Sequence, residues 1–273
     1  MISLPLIFRP SLVVKRILRR VGGGLPLQTR LDLDLLPRPY YAYGLHQAAL
    51  QARRLGHGKM SAIEFGVAGG TGLMVLEKTA ELIGREVGID IEVYGFDSGG
   101  GLPPPADNRD LPYVWQKGFY RIDEAAIRAK LQRAKLVLGL VCDTVGQFVP
   151  QHNPAPIGFV AFDLDYYTST MDAFKLFDAA GPDRRLPRIF CYFDDIIGKD
   201  EELHCEHVGE LAAIADFNAA HPSMKLGRIH GLRHKRIFHS GWCDQMFVLH
   251  DLAHPQYATY LSNEADKQEP LRQ

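Results

Sequence analysis

The chain has 273 residues, a formal net charge of −1 and a hydrophobic fraction of 46%. A charge so near neutral gives no reason to expect nucleic acid as a partner. The apolar content suffices for a sizeable core, yet no apolar run nears the roughly 20 residues of a membrane span.

Residues 1–57 read as an N-terminal helical extension. The opening "MISLPLIFRPSLVVKRILRRVGGG" places positive charge after a short apolar run, the reverse of a secretory signal. Within residues 12–21, Val13, Val14, Ile17, Leu18 and Val21 share one helical face, and Lys15, Arg16, Arg19 and Arg20 share the other. Such a helix packs on the domain or on a second copy in a homo-oligomer, or lies on an anionic membrane surface. Gly22, Gly23 and Gly24 end it, residues 25–39 read as a loop, and residues 40–55 as a helix.

Strands and helices then alternate. Strands are expected at residues 61–67, 91–96, 136–142, 157–162, 188–193, 225–230 and 245–250. Helices are expected at residues 72–83, 123–135, 169–180 and 202–220, and residues 99–115 are too rich in Gly and Pro for regular structure. This order predicts an α/β fold over residues 58–262: a Rossmann-like, seven-stranded, mostly parallel sheet with helices on both faces. The last two strands have no helix between them and read as an antiparallel edge hairpin. Residues 263–273 read as a polar C-terminal tail. Of the four cysteines, Cys142 and Cys191 fall in apolar runs that read as buried strands, and none forms a CxxC pair. That favours reduced thiols and a cytoplasmic setting.

The first strand runs into "AIEFGVAGGTG". Glycine at this density marks a turn closely approached by a ligand or by other backbone. A P-loop is excluded because no Lys-Ser/Thr follows. A dinucleotide fingerprint would need glycine where Ala68 stands, and Glu64 at the strand end would repel a pyrophosphate. A ligand carrying a cationic amine and no phosphate suits Glu64, and S-adenosylmethionine is such a ligand. The pattern of Glu64, Gly66, Gly69, Gly70 and Gly72 looks like the first motif of class I methyltransferases. A plain packing turn is the alternative.

The second strand ends at Asp97, placed to accept ribose hydroxyls in either an NAD enzyme or a methyltransferase, with Ser98 beside it. The third is followed by Asp143 and Thr144, where Asp143 either accepts from an adenine amino group or caps a helix. The fourth and fifth strands run into Asp163 and Asp165, and into Asp194 and Asp195. Carboxylates gathered on one sheet edge repel unless they share a cation, and an all-oxygen set suits Mg²⁺. Helix capping is the bland alternative for each acid.

The phrases "EFGVAGGTG", "YGFDSGGGLP", "FDLDYYTSTMDAF" and "YFDDI" occur in that order over residues 60–200. Together they resemble the macrocin O-methyltransferase family, a branch of the class I methyltransferases. The resemblance implies a Mg²⁺ site from Asp163, Asp194 and Asp195, with Asp165 as the substitute ligand. It also implies methyl transfer to a hydroxyl of a small molecule. Sugar methyltransferases of that family use a His base after the second strand, and this chain has no His between His57 and His152. Late histidines, His204, His207 or His239, are the candidates left, unless the metal does most of the activation. His204 and His207 are expected on one helical face, facing solvent, a zinc ion or the substrate. The basic stretch 228–242 faces an anionic substrate or the phosphates of RNA, or is a solvated hairpin loop. Two other readings use much the same residues: a cephalosporin hydroxylase-like metal oxygenase, and a binding protein for S-adenosylmethionine without catalysis.

Overall fold

The computed structural model describes residues 16–20, 22–238 and 240–262. Of the expected amphipathic segment only residues 16–20 are described, and they are helical. The expected polar tail lies outside the described residues.

Seven strands form one sheet in the order β3-β2-β1-β4-β5-β7-β6. They are β1 (Lys59–Phe65), β2 (Asp90–Asp97), β3 (Lys135–Leu138), β4 (Ile157–Phe162), β5 (Arg185–Phe193), β6 (Met224–Arg228) and β7 (Met246–Asp251). Only β7 runs antiparallel to its neighbours, β5 and β6. The antiparallel pair at the edge is thus as expected. The helices are α1 (Leu27–Asp32), α2 (Pro39–Arg54), α3 (Thr71–Val87), α4 (Glu124–Arg128), α5 (Val141–His152), α6 (Tyr167–Ala179) and α7 (Gly209–Ala220).

The central strands are apolar on both faces because both are covered. Met60 and Ala62 of β1 join a core with residues of α2 and α3, while Ile63 and Phe65 join a core with residues of α5, α6 and α7. Strand β4 is buried along its whole length. Strand order reverses between β1 and β4, so the loops that follow these two strands diverge and leave a crevice at their carboxyl ends.

Several expected elements differ. Strand β3 stops at Leu138, because Gly139 leaves the extended region with φ 134° and Leu140 caps α5, which starts at Val141. Cys142 therefore sits in the first turn of a helix and is exposed, not buried in a strand. Helix α5 absorbs the apolar run that was read only as following a cap, and Asp143 lies inside the first turn while Leu140 occupies the cap position. Helix α4 ends at Arg128, well before residue 135. Residues 25–39 contain the short helix α1. Helix α7 begins at Gly209, not at 202, because Leu203 and Gly209 take left-handed backbone, with φ 50° and 55°. An α-helix cannot pass through either conformation.

The basic stretch lies between β6 and β7, and its arginines are partly committed to the fold. Arg233 pairs with Asp244, and Arg236 pairs with Asp34 in a nearly inaccessible ion pair. The Trp242 indole N–H also donates to Asp34, at 3.2 Å. Among the described residues, no helix is long and apolar enough to cross a membrane.

Candidate active site

The crevice opens into a cavity of about 640 Å³ at the carboxyl ends of β1, β2, β4 and β5. Gly66, Asp97, Leu140, Asp163, Asp194 and Trp115 mark its walls.

Its floor is the glycine loop. Gly66 takes φ 83°, and a β-carbon there would collide with the Asp163 carbonyl oxygen, so β1 and β4 can approach only with glycine at this position. Ala68 takes φ 43°, unusual for a residue with a side chain. What holds it there is Asp97. Its Oδ2 accepts the backbone N–H groups of Val67 and Ala68, at 3.0 and 2.9 Å, and its Oδ1 accepts that of Gly99, at 2.7 Å. A carboxylate has about four acceptor sites, so roughly one remains for a ligand hydroxyl. Ser98 also lines the cavity, and its hydroxyl donates to the Gly101 carbonyl at 2.7 Å. Gly70 takes φ 78° as the residue before α3. Gly69 and Gly72 complete the turn and first helical residues without lining the cavity.

Glu64 is not on the cavity wall. It lies beneath the loop, 1% exposed, with the α3 backbone at Gly72 so close that a β-carbon there would strike the carboxyl. The Tyr41 hydroxyl donates to its Oε1 at 2.6 Å, and its Oε2 is buried with no partner. Burial pushes this carboxyl up to about 8, against the opposing effects of the Tyr41 hydrogen bond and the Arg38 guanidinium. The cationic-amine contact expected of Glu64 does not follow from its placement, because its side chain faces Tyr41 and the α3 backbone.

Asp163, Asp194 and Asp195 each bring one carboxylate oxygen within 4.8 Å of the other two. Strand pairing places them. The Asp163 N–H donates to the Phe65 carbonyl, and the Asp194 N–H to the Phe162 carbonyl, extending the β1–β4–β5 ladder by one step. The Tyr192 hydroxyl donates to Asp194 Oδ1. Asp195 Oδ2 accepts the Asp165 N–H at 2.8 Å, leaving Oδ1 open. Burial, and then the nearby Asp194 carboxylate, push Asp163 up to about 7. Burial and the charges of Asp165 and Glu210 hold Asp195 well above the ordinary carboxylate range. Three converging oxygens, two of them on the raised carboxyls of Asp163 and Asp195, fit a hard divalent cation, which would supply compensating charge. Asp165 lines the same cavity but stands outside this trio, and burial with the charge of Asp163 pushes it up to about 8.

Asp143 and Thr144 are not on the cavity wall; Leu140, Val141 and Cys142 are. Asp143 is exposed, and the Thr144 hydroxyl donates back to the Leu140 carbonyl at 3.0 Å. The start of α5 therefore presents Leu140, Val141 and Cys142, and not a carboxylate, to the cavity. His204 and His207 do not share a helical face, since both precede α7. The His204 ring lies 3.0 Å from Glu202 Oε2, and Glu202 lines the cavity, whereas His207 is exposed. His239 lies outside the described residues.

Two residues of the site carry no motif. Glu210, at the start of α7, is 0% exposed and accepts the Asp195 N–H at 3.1 Å. Glu202 accepts the Lys199 N–H at 2.9 Å besides the His204 ring. A charged residue inside an apolar helix, as in "GELAAIADF", was the available signal for Glu210.

No protein-family profile matches the chain, and no curated protein sequence matches it. Among solved structures the chain is similar to the calicheamicin methyltransferase CalS11, with a TM-score of 0.53 and 17% identity over 92% of this chain and 94% of that one. Another similar structure is the O-methyltransferase NovP, with a TM-score of 0.48 and 15% identity over 66% of this chain and 72% of that one. The likeness to CalS11 shows the fold, which is the Rossmann-like fold of class I methyltransferases. At 17% identity it shows the fold alone and does not test the narrower macrocin resemblance.

Proposed function

We propose that this protein is an S-adenosylmethionine-dependent methyltransferase acting on a hydroxyl of a small molecule, with help from a divalent cation such as Mg²⁺. One observation carries the reading: the Asp163–Asp194–Asp195 trio opens into the same cavity as Asp97 and the glycine loop it holds.

When bound, S-adenosylmethionine supplies a methyl group on a sulfonium, and a divalent ion lowers the pKa of a hydroxyl that it touches. The chain's own residues do the rest. Asp97 offers its remaining acceptor site to ribose, and Leu140, Val141 and Cys142 offer an apolar wall to the base. Asp163, Asp194 and Asp195 would hold the ion. Asp165 stands on the cavity wall beside them. Enclosure between the glycine loop and the acids aligns methyl group and oxygen, which is the largest contribution the protein makes to such a transfer. The fold likeness to a calicheamicin methyltransferase supports this reading. An iron oxygenase site would normally include histidine, and the acid trio contains none, which disfavours that alternative.

Transfer of a tritiated methyl group to a panel of hydroxylated metabolites tests the reading. Label in product that depends on added Mg²⁺, and is lost in Asp194→Asn, supports it. Binding of the donor without transfer to any acceptor in the panel would favour a binding protein.

A further inference from the structure

We infer that Tyr192 is a positioning residue for the divalent cation: its hydroxyl sets the orientation of the Asp194 carboxylate, and Tyr40 of the N-terminal extension holds its ring. The inference rests on the metal-assisted methyl-transfer reading and adds to it two residues that do not line the cavity.

The main chain at Asp194 is fixed at both its polar groups. Its N–H donates to the Phe162 carbonyl at the end of β4, at 2.9 Å, and its carbonyl accepts the Gln245 side-chain amide, also at 2.9 Å. The side chain is what remains to be set. The terminal torsion of an aspartate has a broad minimum, so backbone position alone does not aim the carboxylate at Asp163 and Asp195. Tyr192 stands two residues earlier on β5, and alternation along a strand puts such a pair on one face of the sheet. Its hydroxyl donates to Asp194 Oδ1. A carboxylate has about four acceptor sites, so this bond orients the group and still leaves lone pairs for an ion.

A hydroxyl can aim a carboxylate only if its own ring is held. Tyr192 is buried, and the Tyr40 ring lies face to face with it, the centroids 4.0 Å apart and the planes at 12°. The Tyr41 ring meets it edge-on, at 5.8 Å and 76°. Both tyrosines belong to the first turn of α2, and the Tyr41 hydroxyl continues to Glu64 under the glycine loop. The segment before the sheet thus reaches the metal ligands through two aromatic contacts and one hydrogen bond. A phenylalanine would fill the same space as Tyr192, so packing does not account for the hydroxyl. Outer partners that orient a metal ligand in this way are worth about 10–100-fold in metal affinity.

Calorimetric titration with Mg²⁺, and with Mn²⁺ as a second ion, tests this in the wild type and in variants. Tyr192→Phe keeps the ring and deletes the hydroxyl, and should weaken both ions about 10-fold. Its metal-free melting temperature should fall by only about 2–4 °C, the equivalent of one hydrogen bond. Its affinity for S-adenosylhomocysteine should not change, because Asp97 and the glycine loop are untouched. Tyr40→Leu removes the stack and should weaken the ions as well, and Tyr40→Phe, which keeps the stack, should weaken them less. Unchanged ion affinity in Tyr192→Phe overturns the inference and leaves the metal site standing. A loss of S-adenosylhomocysteine affinity as large as the loss of ion affinity overturns it too, since Tyr192 would then serve only the fold. Failure of both ions to bind the wild type overturns the metal reading, and this inference with it.

Discussion

Asp97 at the end of β2 accepts the backbone N–H groups of Val67 and Ala68, the first residues of the loop after β1. One side chain thereby fixes the loop on the cavity floor and holds Ala68 in left-handed backbone. Two functions meet in this carboxylate, and both should fail together. Asp97→Ala should cost about 1–3 kcal/mol of stability through unpaired N–H groups, and should weaken S-adenosylhomocysteine at least 10-fold. Thermal melts and calorimetry on the one variant check both. A donor affinity unchanged by the substitution would remove Asp97 from the binding site.

Glu64 predicts a pH dependence. Its folded-state value of about 8 lies above the ordinary 4.5, so the folded protein holds the proton more tightly than the unfolded chain. The stability this contributes is fully present below pH 4.5, declines as pH rises, and is gone above pH 8. The span is on the order of 5 kcal/mol. Glu64→Gln removes the titration, so its melting temperature should fall less than that of the wild type between pH 5.5 and about 8. Parallel wild-type and variant curves would show that Glu64 does not titrate in this range.

The acid trio makes a related prediction with a different remedy. Asp163 at about 7 also contributes stability that is lost as pH rises from its ordinary 3.8 through 7. Mg²⁺ should restore it, raising the melting temperature most at pH 8 and least at pH 5. In Asp163→Asn the metal-free protein should melt higher than the wild type at pH 8, and should respond less to Mg²⁺. A Mg²⁺ response equal in variant and wild type would separate Asp163 from the ion.

Cys142 offers a chemical probe. It is exposed on the cavity wall, while Cys191 and Cys243 are buried. Burial and the neighbouring Asp143 raise its thiol above the ordinary range, so alkylation by N-ethylmaleimide should be slow but selective for Cys142 over the two buried thiols. S-adenosylhomocysteine should slow it further, measured by peptide mass spectrometry. Equal labelling with and without the ligand would place the ligand elsewhere.

The sheet was legible because strands that are buried on both faces spell themselves as apolar runs, as "IGFVAF" and "RIFCYF" do. Asp163, Asp194 and Asp195 were legible for the same reason, since each follows such a run directly and strand pairing must bring the ends together. Glu64 shows where the reading stops. An acid before a glycine turn looks the same in sequence whether it faces a ligand or lies under the loop against Tyr41, a residue 23 positions away. Helix α7 was drawn too long because helical spacing continues through residues 202–208, whereas Leu203 and Gly209 depart from it in backbone conformation alone. Val141 and Cys142, expected as the end of a strand, are helical, and Asp143 in the same first turn lies off the cavity wall.

The central claim is that the cavity between Asp97 and the acid trio holds a methyl donor. Calorimetry with S-adenosylmethionine, S-adenosylhomocysteine and NAD tests it most directly. The first two should bind with one site per chain, more weakly in Asp97→Ala, and NAD should give no heat. Tight NAD binding with no response to either of the others would contradict it.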